Sequence, residues 1–214
     1  HPPKRITRSS HTNWEIADVN FSFLPLANFD NGITLTPGAT TGSSVTVTAS
    51  ADPSSFFSNG DYIRMNGGLM KITAVSISTS ITVSIEEKLN NTLLSGSSEY
   101  LQTAFSTAKG YPQTVTFHQN RLIFGGSKNK PQTIFGSQSG DFFNFKPTVA
   151  SVEGSDTIGQ VTDDTAFNFT IGADSSNVIR HIVSKQTLFI FTSDGEFEMT
   201  GSPLTPTNVN IRLQ

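Results

Sequence analysis

The chain has no cysteine, which excludes disulfides, thiolate zinc sites and cysteine nucleophiles. It is poor in charge. Lys, Arg, Asp and Glu make up 14% of its 214 residues, against about 25% in an ordinary soluble domain, and Ser, Thr, Asn and Gln carry the polarity instead. A surface of that kind costs little to desolvate and fits all-β or assembled proteins. The net charge of −3 argues against a general nucleic-acid-binding surface, which is basic. Trp and Tyr are scarce, at 1 and 3, and these are the side chains that usually build sugar-binding platforms. No apolar run approaches the roughly 20 residues that span a membrane, and the start carries no signal-peptide pattern. Because the first residue is His1 rather than Met, the expectation is a processed or excised piece of a longer protein. There is no convincing long amphipathic helix.

Motifs that carry chemistry are also wanting. Gly136-Ser137-Gln138-Ser139-Gly140 has the outline of a nucleophile elbow, but Gln138 stands where the serine must be. Neither Gly67-Gly68 nor Gly125-Gly126 has the further glycines of a phosphate loop or dinucleotide fingerprint. His1, His11, His118 and His181 are scattered, with no H-x-x-x-H pair to hold zinc. The acidic pairs Glu86-Glu87 and Asp163-Asp164 sit in no spaced calcium loop and read as solvated turns. The basic cluster Lys4, Arg5 and Arg8 reads as a solvated or subunit-facing strand. The residues therefore predict no enzyme, no cofactor and no metal.

What the chain does have is phenylalanine, 17 in all, and apolar residues that mostly alternate with polar ones, the two-residue period of a half-buried strand. Gly and Pro interrupt it about every ten residues, the spacing of an all-β sandwich, barrel or propeller. Three textures follow one another. Residues 1–32 hold a Pro-rich basic lead and a run from Trp14 to Phe21. Residues 33–98 are Thr-, Ser-, Val- and Ile-rich, with alternating Val45–Ser50, a hairpin signal at Asn66-Gly67-Gly68, and alternating Ser80–Ile85. That segment predicts a small β-barrel domain inserted into a discontinuous domain of residues 1–32 plus 99–214. In the last segment Phe-rich strands return, and it contains a weak repeat. RLIFGGS…QTIFGSQSGDFFNF (from Arg121) and TLFIFTSDGEFEMTG (from Thr187) each give an apolar strand, a Ser/Gly/Asp turn and a Phe-bearing strand. Radial repetition of such units makes a β-propeller, and a meander of hairpins in a sandwich gives the same turns. The expected fold is all-β, with partial propeller-like blades and the inserted small barrel.

GYPQTVTFHQNRLIFGGSKNKPQTIFGSQSGDFFNF, from Gly110 to Phe145, resembles the signature stretch of the tail nozzle or hub ("stabilization") proteins of short-tailed bacteriophages. The shared pattern is a Tyr-Pro at Pro112, a Gln-x-Arg-Leu strand at Arg121, a Gly-Gly turn at Gly125 and Gly126, a Pro-x-Thr strand at Pro131, and a Ser-x-x-Gly-Asp-Phe turn at Gly140 and Asp141. Three more segments resemble the same family in the same order. They are HPPKRITRSSHTNWEIADVNF with Trp14, GITLTPGATTGSSVTVTAS, and TLFIFTSDGEFEMTGSPLTPTN with Asp194 and Gly195. The turn at Asp194-Gly195 also resembles the structural Asp-box of sialidase-like propellers.

The resemblance implies a virion structural protein of the phage tail, made in the host cytoplasm and without enzymatic activity. It implies a homo-oligomeric ring, sixfold in such proteins, that touches tail adaptor and fibre proteins and lets DNA pass non-specifically during genome ejection. The ten residues just numbered are then structural, as determinants of turns and strands. Family members are several times longer, so this chain is expected to be a fragment with too few blades to close a propeller. The alternative is a carbohydrate-binding β module of a tail adhesin.

Overall fold

A computed structural model of the chain describes residues 1–148, 160–172 and 177–214. The fold is all-β, and the described residues hold no helix and only antiparallel strand pairing between their strands. The described residues close neither a barrel nor a propeller. No helix among them is long and apolar enough to cross a membrane. The chain separates into two compact units.

The smaller unit is Leu26–Ala104. Its strands are β3 (Leu26–Ala27), β4 (Leu35–Pro37), β5 (Val45–Ala49), β6 (Tyr62–Met65), β7 (Gly68–Val75), β8 (Ser80–Glu87) and β9 (Leu101–Thr103). They form one seven-stranded sheet in the order β3-β9-β6-β7-β8-β5-β4. Alternation drives it. In β5 the valines Val45 and Val47 are buried and the intervening threonines exposed, so one face supplies the core. That core includes Leu35, Val47, Ile63, Met70, Ile72, Ile81, Val83, Leu89 and Tyr100. The β6–β7 hairpin turns on Asn66 and Gly67, both at positive φ (48° and 77°), as a two-residue turn of the primed kind requires. A side chain at Gly67 would meet the Asn90 carboxamide at 2.4 Å. The range 33–98 read from composition lies inside this unit. Strands β3 and β9, which pair Leu26 with Thr103 and Ala27 with Gln102, extend it on both sides.

Among the described residues the larger unit contains three sheets. A two-stranded ribbon joins β1 (Lys4–Arg8) to β2 (Trp14–Asp18). A meander follows in chain order: β10 (Thr114–His118), β11 (Arg121–Gly125), β12 (Thr133–Gly136) and β13 (Phe167–Thr170). A second meander follows the first: β14 (Ile179–Ser184), β15 (Leu188–Thr192), β16 (Glu196–Thr200) and β17 (Asn210–Leu213). The two meanders share a core of Ile123, Ile134, Phe167, Ile179, Ile182, Leu188, Ile190, Phe197 and Met199. On the other face of the first meander, Phe124 lies opposite Phe135. Phe21, Phe105 and Phe145 cover that face with ring centroids 5.1–6.0 Å apart. Strand β11 is therefore buried along its whole length, which explains its unbroken apolar run.

Candidate functional site

Arg121 opens β11 and is only 2% exposed. Its guanidinium donates to the carbonyls of Ser137 (2.5 Å), Thr165 (2.8 Å) and Asp163, and lies 5.4 Å from the centroid of the Phe167 ring. Burial lowers its pKa, and the nearby Asp164 and Asp163 carboxylates oppose that shift. Five fixed donors suit a guanidinium to several carbonyls at once. Arg121 thus fastens β11, the turn after β12 and the segment before β13 into one block.

The turn residues act by close approach. A Cβ at Gly125 would stand 2.3 Å from Ile182 of β14, so the two meanders meet there only because the side chain is missing. Gly126 has φ +59° and lies against the carbonyls of Pro131 and Ile179, and the Pro131 carbonyl accepts from the Ile179 amide at 2.9 Å. Gly140 has φ +76° and donates to the Asn120 carbonyl at 2.9 Å. Asp141 is exposed beside it, bridged to Gln138. Asp194 and Gly195 form the β15–β16 turn, where the Gly195 carbonyl accepts from both the amide and the hydroxyl of Thr192.

Gln119 and Asn120, both at positive φ (44° and 61°), make the β10–β11 turn. The Gln119 carboxamide offsets the strain with bonds to the Gly201 carbonyl and the Leu204 amide.

The Ser137 hydroxyl is fully buried, donates to the Gln138 carbonyl and accepts from the Leu122 amide, so it cannot reach a substrate. His118 Nδ1 lies 2.9 Å from the Ser184 hydroxyl, and burial lowers the pKa of the ring. Among the described residues no carboxylate bonds that imidazole, and no three His, Asp or Glu side chains come close enough to hold a metal. The pair fastens β10 to β14.

A surface remains. The ribbon exposes Ile6, Trp14 and Ile16 at 64%, 59% and 69%. Ile6 and Ile16 pair across the strands, and the Arg8 guanidinium covers one side of the Trp14 ring at 5.5 Å. At the base of the ribbon Pro3, Ile6 and Val19 face Pro112, Val115 and Phe117 across an open groove of about 470 Å³. Val115 and Phe117 are themselves more than half exposed.

The motif residues of the sequence therefore do not converge. Arg121, Gly125, Gly126 and Pro131 sit in or beside the interior between the meanders, Gly140, Asp141, Asp194 and Gly195 at turns, Trp14 on the ribbon, and Pro112 at the groove. Sequence reasoning missed the groove and the burial of Arg121. The only signal for the latter was an arginine heading an otherwise apolar strand. No protein-family model matches the chain, and no curated protein matches it.

Proposed function

We propose that the chain is a virion structural protein, part of the nozzle or hub of a short-tailed phage tail, whose β blades build the wall of the DNA-ejection channel. The observation that carries this reading is the pair of consecutive four-stranded antiparallel meanders sharing one core, the form of successive propeller blades. The order of the Gly110–Phe145, Trp14 and Asp194-Gly195 motifs is consistent with it. The seven-stranded unit is the inserted small β domain of the same scheme. Assembly into a ring, sixfold by resemblance, needs apolar area on its contact faces, and the exposed Ile6, Trp14, Ile16, Val115 and Phe117 side chains of the ribbon and groove offer it. A low-charge wall also lets DNA pass without holding it.

Immunogold electron microscopy of phage tails with antibody raised against this chain tests the proposal. Label at the tail tip is the expected result, and tails without label would remove it. A glycan array distinguishes the adhesin alternative, since binding of a defined oligosaccharide favours that reading instead.

A further inference from the structure

The chain contains three Asn-Gly pairs: Asn31-Gly32, Asn59-Gly60 and Asn66-Gly67. Such a pair can undergo an internal acyl transfer. The glycine nitrogen attacks the asparagine Cγ, a C–N bond closes a five-membered succinimide, and the nitrogen's proton leaves with the amide as ammonia. Water then opens the ring at either carbonyl, leaving aspartate or isoaspartate. The reaction needs an unengaged glycine N–H, a carboxamide folded over the next peptide, and donors that stabilise the oxyanion forming on Oδ1.

The three pairs differ in these respects. The Gly60 amide is committed to the Ile72 carbonyl at 2.9 Å. The Asn66 carboxamide is tied away from its own chain, since Nδ2 donates to the Leu93 carbonyl at 2.9 Å and Oδ1 accepts from the Ser95 hydroxyl at 2.8 Å. At Asn31, Oδ1 accepts from the Ile33 amide at 3.0 Å, which folds the carboxamide over the Gly32 peptide. The Tyr100 hydroxyl lies 2.8 Å from the same oxygen and 2.9 Å from the Ile33 carbonyl, one proton between two acceptors. Charge growing on Oδ1 draws that proton to it. The Asn31 Nδ2, the leaving group, is buried and has no hydrogen-bond partner among the described residues. Gly32 is exposed, with open space around its Cβ position, so water reaches the ring.

We propose that Asn31 is a self-modification site, where Ile33 N–H and Tyr100 O–H act as an oxyanion pocket for succinimide formation by Gly32. Burial pushes the Tyr100 phenol up to about 12, so it keeps its proton through the pH range in which the reaction runs. The site lies where the smaller unit is drawn shut. The Asn28 carboxamide holds the carbonyls of Ser97 and Tyr100 at 3.0 and 2.9 Å, and the Ser97 hydroxyl reaches Asp30 at 2.5 Å. Conversion adds a negative charge beside Asp30, and isoaspartate also lengthens the main chain by one methylene there.

The test is peptide mapping by mass spectrometry of the full chain, aged at mildly alkaline pH with and without denaturant, with the three pairs timed in one sample. In denaturant all three lose their surroundings and set their own reference rates. In the native chain Asn31 is expected to keep or exceed its reference rate, while Asn59 and Asn66 fall about tenfold or more below theirs, one amide hydrogen bond being worth a sizeable share of that factor. Protection of Asn31 to the same degree as the other two would overturn the proposal. In Tyr100→Phe the Asn31 rate is expected to drop about threefold to tenfold, with Asn59 unchanged. An unchanged Asn31 rate in that folded variant would remove Tyr100 from the pocket and overturn the proposal as stated. Should the variant unfold, Asn59 and Asn66 accelerate together, and the native-against-denatured comparison in the unaltered chain decides.

Discussion

The two meanders of the larger unit have the same four-stranded order and share a core, yet they differ in how many faces they bury. In the first, β11 and β12 are buried at every position, because one face meets the second meander and the other lies under the Phe21, Phe105 and Phe145 rings. In the second, among the described residues, one face carries the apolar core. Leu188, Ile190, Phe197 and Met199 point into the shared core. On the opposite face Phe189, Phe191 and Val183 stay partly exposed, and the Glu198 carboxylate takes the Arg212 guanidinium at 2.6 Å. The same supersecondary unit can thus be an interior layer or a boundary layer, and the side chains of its second face decide which. A boundary face bearing partly exposed aromatics suits the packing of another blade or another copy, as the proposed function requires.

The contrast can be broken by substitution. The largest effect is expected from Phe135→Ala, which empties a fully buried ring position and should cost about 3–5 kcal/mol. Phe189→Ala on the boundary face should cost less than half of that in the isolated chain, and urea unfolding of the two variants measures the gap. Equal losses would mean that both sheets are interior layers. Next comes Arg121→Met, which leaves several buried carbonyls without a donor and is expected to cost about 3 kcal/mol. Arg121→Lys should recover only part of this, since an ammonium cannot span the same carbonyls. Third, Gly125→Ala sets a methyl group 2.3 Å from Ile182 and should cost about 1–3 kcal/mol. Gly195→Ala at the boundary turn, whose nearest neighbour is the end of the Leu213 side chain at 3.0 Å, should shift the unfolding midpoint far less.

The smallest effect concerns pH. His118 is buried and its pKa lies below the ordinary 6.5, so the unfolded chain binds its proton more readily than the folded one. Stability is then full above about pH 6.5, falls as the pH drops from there towards the folded pKa, and levels off beneath it. His118→Gln should flatten that part of the stability–pH curve, and a slope unchanged by the substitution would assign the pH dependence elsewhere.

Local chemistry was legible in the sequence, and long-range pairing was not. Asn66-Gly67 specifies its hairpin because the turn needs two positive-φ residues and these supply them. The valines of β5 announce their face by alternation alone. The unbroken run Leu122-Ile123-Phe124 signals a strand covered on both sides. By contrast, Arg121 gives no sign of its surroundings. Its partners are main-chain carbonyls 16 to 44 residues further on, and every residue type has a carbonyl. The acidic pair Asp163-Asp164 is the exposed turn that its composition suggests, but nothing in it announces that the Asp163 main-chain oxygen accepts from Arg121. Strands β3 and β9 escaped notice because two or three residues cannot show a period. The groove escaped because it is made by residues 3–21 meeting residues 112–124 and 143, a proximity that only the folded chain creates.

The pairing of Leu26 with Thr103 has a consequence for the architecture of the gene as much as of the molecule. It brings the two ends of the smaller unit to the spacing of adjacent strands, about 5 Å. To the rest of the chain, everything from Leu26 to Ala104 closes like a tight loop, and closure entropy grows only slowly with what the loop contains. The smaller unit is in effect a cassette. A short Gly-Ser linker joining Pro25 to Phe105 could replace it, or a different β domain with neighbouring termini could be spliced into the same place, with both meanders left to fold on their own contacts.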